Sequence, residues 1–173
     1  MRRTGAAATA TLGAGFATNG VHTVNLRVTD NCGGVDTVGA SVFVNNSPPT
    51  ASFTVAPNPA AINATVTFNG AASSDTGGAI AKYEWDLDAD GTFETDTGAV
   101  SQATKAFAAA GSYIIQLRVT DGSGATATTF RQLRVNAKPT ATFSYSPLNP
   151  LIGEAVAYDG TTSADPDGTI ATY

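Results

Sequence analysis

The sequence predicts an all-β protein built as an antiparallel sandwich, and three observations carry that expectation. Apolar and polar residues alternate with period two in several short runs, and clusters of Gly, Pro, Asn and Asp separate those runs. Charged residues make up only 13% of the 173 positions while hydrophobic ones make up 42%; in soluble domains charge usually runs near a quarter. Thr, Ser, Ala, Gly and Asn take its place, a mixture of strand formers and turn formers. No window carries sustained helical periodicity. Ala103–Ala110 is alanine-rich but includes Thr104 and runs into Gly111.

Taken in order, Thr50–Val55 and Thr65–Phe68 read as short strands. Ile80–Leu87 places Tyr83, Trp85 and Leu87 on one face, because alternate residues of a strand point the same way. Tyr113, Ile115, Leu117 and Val119 alternate with Ile114, Gln116, Arg118 and Thr120. Gly124–Val135 closes the unit as a long strand, with a bulge expected near Phe130 where the alternation breaks. Pro57-Asn58-Pro59, Thr76-Gly77-Gly78, Ala89-Asp90-Gly91 and Asp121-Gly122 supply the turns. Many short alternating strands divided by turns argue for a sandwich rather than a helical or mixed fold.

The same pattern occurs more than once. Gly111–Asp121 (GSYIIQLRVTD) matches Gly20–Asp30 (GVHTVNLRVTD) at a spacing of 91. Pro49–Phe53 matches Pro139–Phe143, and Asp75–Tyr83 matches Asp165–Tyr173, both at a spacing of 90. A period near 90 residues is the size of one small sandwich. The phases divide the chain into 1–46, the second half of a repeat; 47–136, a complete repeat; and 137–173, the first half of another. Pro48-Pro49 and Lys138-Pro139 stand at the junctions, where proline stiffens a short linker.

Pro-Thr-Ala-Ser-Phe-Thr-Val at 49–55, Tyr-Glu-Trp-Asp at 83–86 and Gly-Ser-Tyr-Ile-Ile-Gln-Leu-Arg-Val-Thr-Asp at 111–121 together resemble the PKD (polycystic kidney disease) domain. The resemblance implies a seven-stranded, immunoglobulin-like sandwich with Trp85 between the sheets, repeated in tandem. It also implies the settings of that family: bacterial and archaeal surface proteins, and spacer or substrate-contacting modules of secreted hydrolases. Two departures stand out. The family's usual Trp-Asp-Phe-Gly-Asp-Gly becomes Trp85-Asp86-Leu87-Asp88-Ala89-Asp90-Gly91, a longer acidic loop, and His22 occupies the place of Tyr113 in the first partial repeat.

Composition excludes several functions. Nine basic residues against fourteen acidic ones give a net charge of −5, so no basic surface exists for a phosphate backbone and nucleic acid is not an expected partner. The single cysteine rules out an intrachain disulfide. No apolar run approaches the roughly 18–20 residues of a membrane span. Met1-Arg2-Arg3 gives a basic opening, but Thr9, Thr11, Gly13 and Gly15 interrupt the alanine-rich stretch after it, so no signal-peptide core is read there.

The chemistry-bearing candidates are few. Asp86, Asp88, Asp90 and Glu94 have the opening spacing of a calcium loop, in which carboxylates converge on a hard cation. The glutamate such a loop needs at its twelfth position is Thr97 instead, and Trp85 arrives on a strand where an EF-hand would have a helix. The competing reading is a hairpin turn that needs Asp and Gly for its backbone geometry. Asp165-Pro166-Asp167-Gly168 is a second acidic turn, reduced to Asp75-Thr76-Gly77-Gly78 in the complete repeat. His22, the only histidine, reads as a partly buried residue near a strand end. Cys32 sits in a turn aligned with Ser123, read as a tolerated exposed residue with an intermolecular disulfide as the alternative. Trp85, Tyr83 and Phe107 could be imagined as a sugar-stacking platform, but their phase puts Trp85 inside, the default for this sandwich. No serine has a nucleophile-elbow context, so no enzyme is expected.

The resulting expectation is a structural spacer segment of a large extracellular or cell-surface repeat protein, an adhesin or filament subunit among the options. Its partners would be neighbouring repeats, with head-to-tail copies of itself as a further option. The half repeats read as truncated units, with pairing by strand complementation as the alternative. The alternative function is an ancillary substrate-binding module of a secreted hydrolase. No cofactor is expected apart from calcium at the acidic loop.

Overall fold

The structure is a computed structural model that describes residues 15–173, so the reading of the first residues as lacking a signal-peptide core lies outside the described range. Twelve strands run along the described chain: β1 (Gly20–Thr29), β2 (Val35–Val44), β3 (Thr54–Ala56), β4 (Ala60–Ala61), β5 (Thr65–Asn69), β6 (Ile80–Asp86), β7 (Thr95–Gly98), β8 (Gln102–Ala106), β9 (Gly111–Asp121), β10 (Thr126–Asn136), β11 (Ser144–Ser146) and β12 (Ala157–Asp159). Among the described residues there is no helix. The fold is all-β, as the alternation predicts, and immunoglobulin-like, as the resemblance implies.

The central sandwich faces a five-stranded sheet, ordered β4-β10-β9-β6-β7, against a three-stranded one, ordered β3-β5-β8. β6 and β9 form the middle, pairing antiparallel with Trp85 opposite Leu117 and Tyr83 opposite Val119. Opposite residues share a face, so this register turns the apolar halves of both strands inward together. Phe53, Phe68, Trp85, Ile115, Leu117 and Leu133 are fully buried there. Burying one such side chain stabilises by roughly 1.5–3 kcal/mol. The Trp85 indole stands edge-on to Phe53 at 5.4 Å between centroids and 89° between planes, a favoured aromatic geometry. Gly70 allows the sheets to close: a Cβ there would lie 3.1 Å from Leu117 Cδ2 and from the Tyr83 ring.

Two local expectations are corrected. The bulge near Phe130 does not exist: β10 pairs with β9 in unbroken register from Thr126 opposite Thr120 to Val135 opposite Gly111. The alternation breaks there because Phe130 points outward while Arg131 takes the inward phase, where its Nε donates to the Phe53 carbonyl at 2.9 Å. The register shifts fall in β6 instead, between Tyr83 and Glu84 toward β7 and between Ile80 and Lys82 toward β9. The first strand is also shorter than the run Thr50–Val55. Thr50 makes only an isolated bridge to Ser74, and β3 begins at Thr54.

On the N-terminal side, β1 and β2 form a hairpin whose register, Gly20 opposite Val44 through Thr29 opposite Val35, repeats that of β9 with β10. On the C-terminal side, β11 pairs with β12, and Thr140 bridges Ala164 as Thr50 bridges Ser74. Both segments leave large apolar side chains exposed.

Candidate functional site

The acidic loop grows out of the end of β6. Glu84 and Asp86 alternate with Tyr83, Trp85 and Leu87, so they point to the outer side of the five-stranded sheet, Glu84 opposite Arg118 and Asp86 opposite Gln116. Asp86 is nonetheless fully buried, and its carboxylate is surrounded by donors. Oδ1 accepts the backbone N–H groups of Asp88 (3.3 Å) and Ala89 (2.7 Å), and Oδ2 accepts Gly91 N–H (3.0 Å) and Gln116 Nε2 (3.0 Å). Four donors on one carboxylate form a nest that sets the shape of the turn. They also hold Ala89 at φ 67° and Gly91 at φ 89°, the left-handed region that the Ala-Asp-Gly turn requires.

The structure brings all four predicted ligands together: Asp86, Asp88, Asp90 and Glu94 each offer an oxygen, and these lie within 4.8 Å of one another. Only Asp86 is buried. Every one of the four already accepts a hydrogen bond inside the loop. Asp88 Oδ1 takes Asp90 N–H, Asp90 Oδ1 takes the N–H and hydroxyl of Thr92, and Glu94 Oε1 takes Leu87 N–H. Thr92 thereby holds the Asp90 carboxyl below the usual range. Lys105 Nζ donates to the Leu87 carbonyl at 3.0 Å, placing a cation beside the loop. These internal hydrogen bonds occupy both oxygens of Asp86 and one oxygen each of Asp88, Asp90 and Glu94.

Beside the loop lies an ion-pair network that sequence reading does not single out. Arg118 Nε and Nη2 donate to the two oxygens of Glu84 at 2.9 and 3.0 Å, and Lys82 Nζ reaches Glu84 at 2.6 Å and Asp96 at 3.0 Å. The Arg118 guanidinium also sits 4.4 Å from the centroid of the Phe93 ring, a favourable cation–π arrangement. The Arg118 hydrogen bonds hold the nearly buried Glu84 carboxyl below its ordinary value against the opposing effect of burial. A group whose folded pKa is depressed stabilises the fold above its unfolded value and loses that contribution as pH falls through the folded one. Stability is therefore expected to be level near neutrality and to fall as pH drops below about 4.3. In Glu84→Gln that acid-side decline becomes shallower, as thermal melts across pH 3–7 would show.

The second acidic turn serves a junction. Asp167 Oδ1 accepts the backbone N–H of Ala137 at 3.0 Å, and Asp165 Oδ1 accepts Asp167 N–H at 3.5 Å. At the other junction Asp121 does comparable work. Its Oδ1 accepts Ser123 and Ala125 N–H within the β9–β10 turn, and its Oδ2 accepts Asn46 Nδ2 at 2.6 Å. Asn19 Nδ2 donates to Asn46 Oδ1 and to Ser123 Oγ, extending the network into the N-terminal hairpin. The Asn46 contact leads the causes that hold the Asp121 carboxyl below the usual range. The recurring Val-Thr-Asp ending marks these aspartates as turn residues in the sequence. Nothing in it shows the second oxygen reaching a linker asparagine.

The remaining candidates fall where their phases place them. His22 is half-buried, stacks on Phe16 at 4.4 Å and has a ring nitrogen 2.8 Å from the Thr18 carbonyl. Cys32 is exposed in the turn between β1 and β2. Trp85, Tyr83 and Phe107 are core residues, so they offer no platform for a sugar. The outer face of the five-stranded sheet instead exposes Phe130, at 68%, across from Gln116.

Comparison with known proteins agrees with this architecture. The structure is similar to carbohydrate-binding modules from the β-sandwich superfamily, studied for their promiscuous specificity, at 28% identity and a TM-score of 0.50. That match covers 59% of this chain and 45% of the other, so the chain spans less than half the length of that structure. It is also similar to the PKD1 domain of Vibrio anguillarum Epp, at 27% identity and a TM-score of 0.44, over 54% of this chain and 100% of that one. The PKD1 domain of the Vibrio cholerae metalloprotease PrtV matches at 27% identity and a TM-score of 0.41, over 51% of this chain and 98% of that one. The PKD domain family's own model matches residues 46–135, the stretch that folds as the central sandwich. That stretch is more than half of the sequence, and on it the chain belongs to the PKD domain family.

Proposed function

We propose that the chain is a non-catalytic spacer segment of an extracellular or cell-surface protein, built from PKD repeats in tandem. The observation that carries this reading is the way the flanks relate to the centre. The N-terminal hairpin repeats the β9–β10 register and is tied to the central domain through Asn46 and Asp121; the C-terminal segment is tied through Ala137 and Asp167. Repeats joined by short proline linkers and specific hydrogen bonds hold distal parts of a protein at a set distance, which suits a stalk, an adhesin or a filament subunit. The family membership and the low charge support an extracellular setting. The functional groups brought together hydrogen-bond to the protein itself, and none forms a nucleophile with a partnered base.

A second reading is an ancillary module that grips a polymer for a secreted hydrolase, favoured by the likeness to carbohydrate-binding modules and by exposed Phe130. Pull-down with insoluble cellulose and chitin separates the two. The chain is expected to stay in the supernatant; retention on either polymer that Phe130→Ala abolishes would replace the spacer reading with the binding one.

A further inference from the structure

Nearly every asparagine of the central domain has its carboxamide in use. Asn46 Nδ2 donates to Asp121, and Asn58 donates to the Gln132 carbonyl while accepting Arg134 N–H. Asn69 Oδ1 accepts Ala71 N–H, and Asn136 Nδ2 donates to the Ala137 carbonyl. Asn63 is the exception. It stands exposed in the turn between β4 and β5, and its carboxamide has no hydrogen-bond partner among the described residues. Only its backbone is fixed, with N–H donating to the Phe107 carbonyl at 2.8 Å.

The shape of the turn does not by itself call for this residue. Asn63 has φ 60°, in the left-handed region that glycine adopts more freely. Ninety residues on, Gly153 holds the corresponding turn at φ 82°. What the central domain adds is Thr65, where the later unit has Ala155. Asn63-Ala64-Thr65 is therefore an Asn-x-Ser/Thr triplet without proline in the middle, the acceptor pattern for N-linked glycans in exported proteins. Thr65 begins β5 with its side chain outward, since the adjacent Val66 is fully buried. Amide and hydroxyl both reach solvent from one turn.

We infer that Asn63 is an N-glycosylation site. The donor is of the lipid-linked oligosaccharide class. Asn63 Nδ2 bonds to the anomeric carbon of the first sugar, the lipid phosphate leaves from that carbon, and one amide proton passes to solvent. The folded domain accommodates the product without breaking a hydrogen bond, because the glycan extends from an exposed turn. The sequence holds one other such triplet, Asn45-Asn46-Ser47. There the middle residue is tethered to Asp121 and Asn19, and Pro48 follows directly, so the segment is stiff and a glycan would stand in the junction. The inference rests only on the extracellular setting in the function proposed above and does not require the spacer role.

Peptide mass mapping of the protein made in its own cells tests this. Chymotryptic cleavage after Phe43, Phe53 and Phe68 puts the two triplets on separate peptides, 44–53 and 54–68. Peptide 54–68 is expected to exceed its sequence mass by that of an oligosaccharide and to give sugar ions on fragmentation, while 44–53 runs at its sequence mass. Thr65→Val, which keeps the asparagine and the side-chain shape, and Asn63→Gly, which copies the residue at 153, are each expected to lose the added mass. Trp85 fluorescence reports the intact fold of both variants. Peptide 54–68 at its sequence mass, added mass that survives Thr65→Val, or sugar on 44–53 with 54–68 bare would overturn the inference. Cell fractionation separates the two failures. A bare Asn63 in protein recovered outside the cell sinks the glycan and leaves the spacer reading standing, whereas protein found only inside the cell sinks both.

Discussion

Trp85→Ala is expected to destabilise the chain by about 3–5 kcal/mol, the range for removing a fully buried large aromatic. From β6 in the five-stranded sheet, Trp85 meets Phe53 edge-on and Phe68 at 6.1 Å between centroids, both on the side of the three-stranded sheet, so it spans the space between the sheets. Its indole N–H reaches Thr97 Oγ1 at 3.3 Å, and that hydroxyl lies 2.6 Å from the Val100 carbonyl. Truncation would open a cavity between the sheets and release the β7 turn from the core together. Domains of this kind are stable by only about 5–15 kcal/mol, so the variant should stand near the edge of folding. Trp85→Phe keeps the ring and loses the N–H, and should cost less than the alanine change. Urea unfolding followed by circular dichroism measures both, since the substitution removes the only tryptophan fluorophore. A midpoint unchanged in Trp85→Ala would show that the sheets are not held together through this residue.

Asp86→Ala is the second large effect, expected at about 1–3 kcal/mol, the range for removing an acceptor buried among its donors. Four N–H groups point at that carboxylate, and alanine leaves them without an acceptor. Asp88→Ala and Asp90→Ala lie on the exposed side and should stay within about 0.5 kcal/mol. The contrast separates the two readings of the acidic loop. As a turn scaffold, the loop gives the same melting temperature in excess calcium and in chelator, and only Asp86 matters. As a calcium site it would show a melting temperature that rises with calcium, by linkage to binding, and Asp88→Ala would abolish the rise. That second pattern would assign the loop a cation.

The strands legible in the sequence are those in which alternation and burial agree. β6 and β9 place Trp85, Leu117 and Val119 inward because each apolar residue is followed by a polar one. β4 and β7 escape notice because two and four residues hold too few alternations to register, and β8 because Gln-Ala-Thr-Lys-Ala offers no large apolar side chain. The false bulge at Phe130 has a different origin. An inward arginine satisfied by a backbone carbonyl looks, in sequence, like a slipped strand. At the candidate site the four acidic residues are legible by spacing, but their chemistry is not. Whether Asp86 faces an ion or four amide hydrogens depends on how the loop folds back, and on Gln116, thirty residues away. The junction network is invisible for the same reason, since Asn46 and Asp121 are 75 residues apart.

That junction has a mechanical consequence. The backbone leaving Asn46 enters the three-stranded sheet through β3, while the Asn46 side chain grips the five-stranded sheet at the end of β9. Tension drawn along the chain from its N-terminal side is thus divided between both leaves of the sandwich. Cutting the Asn46 tether would route the whole load into β3, which holds only three pairs to its neighbour. The Asn46 amide thus gives load entering from the N-terminal side a second path into the sandwich beside β3.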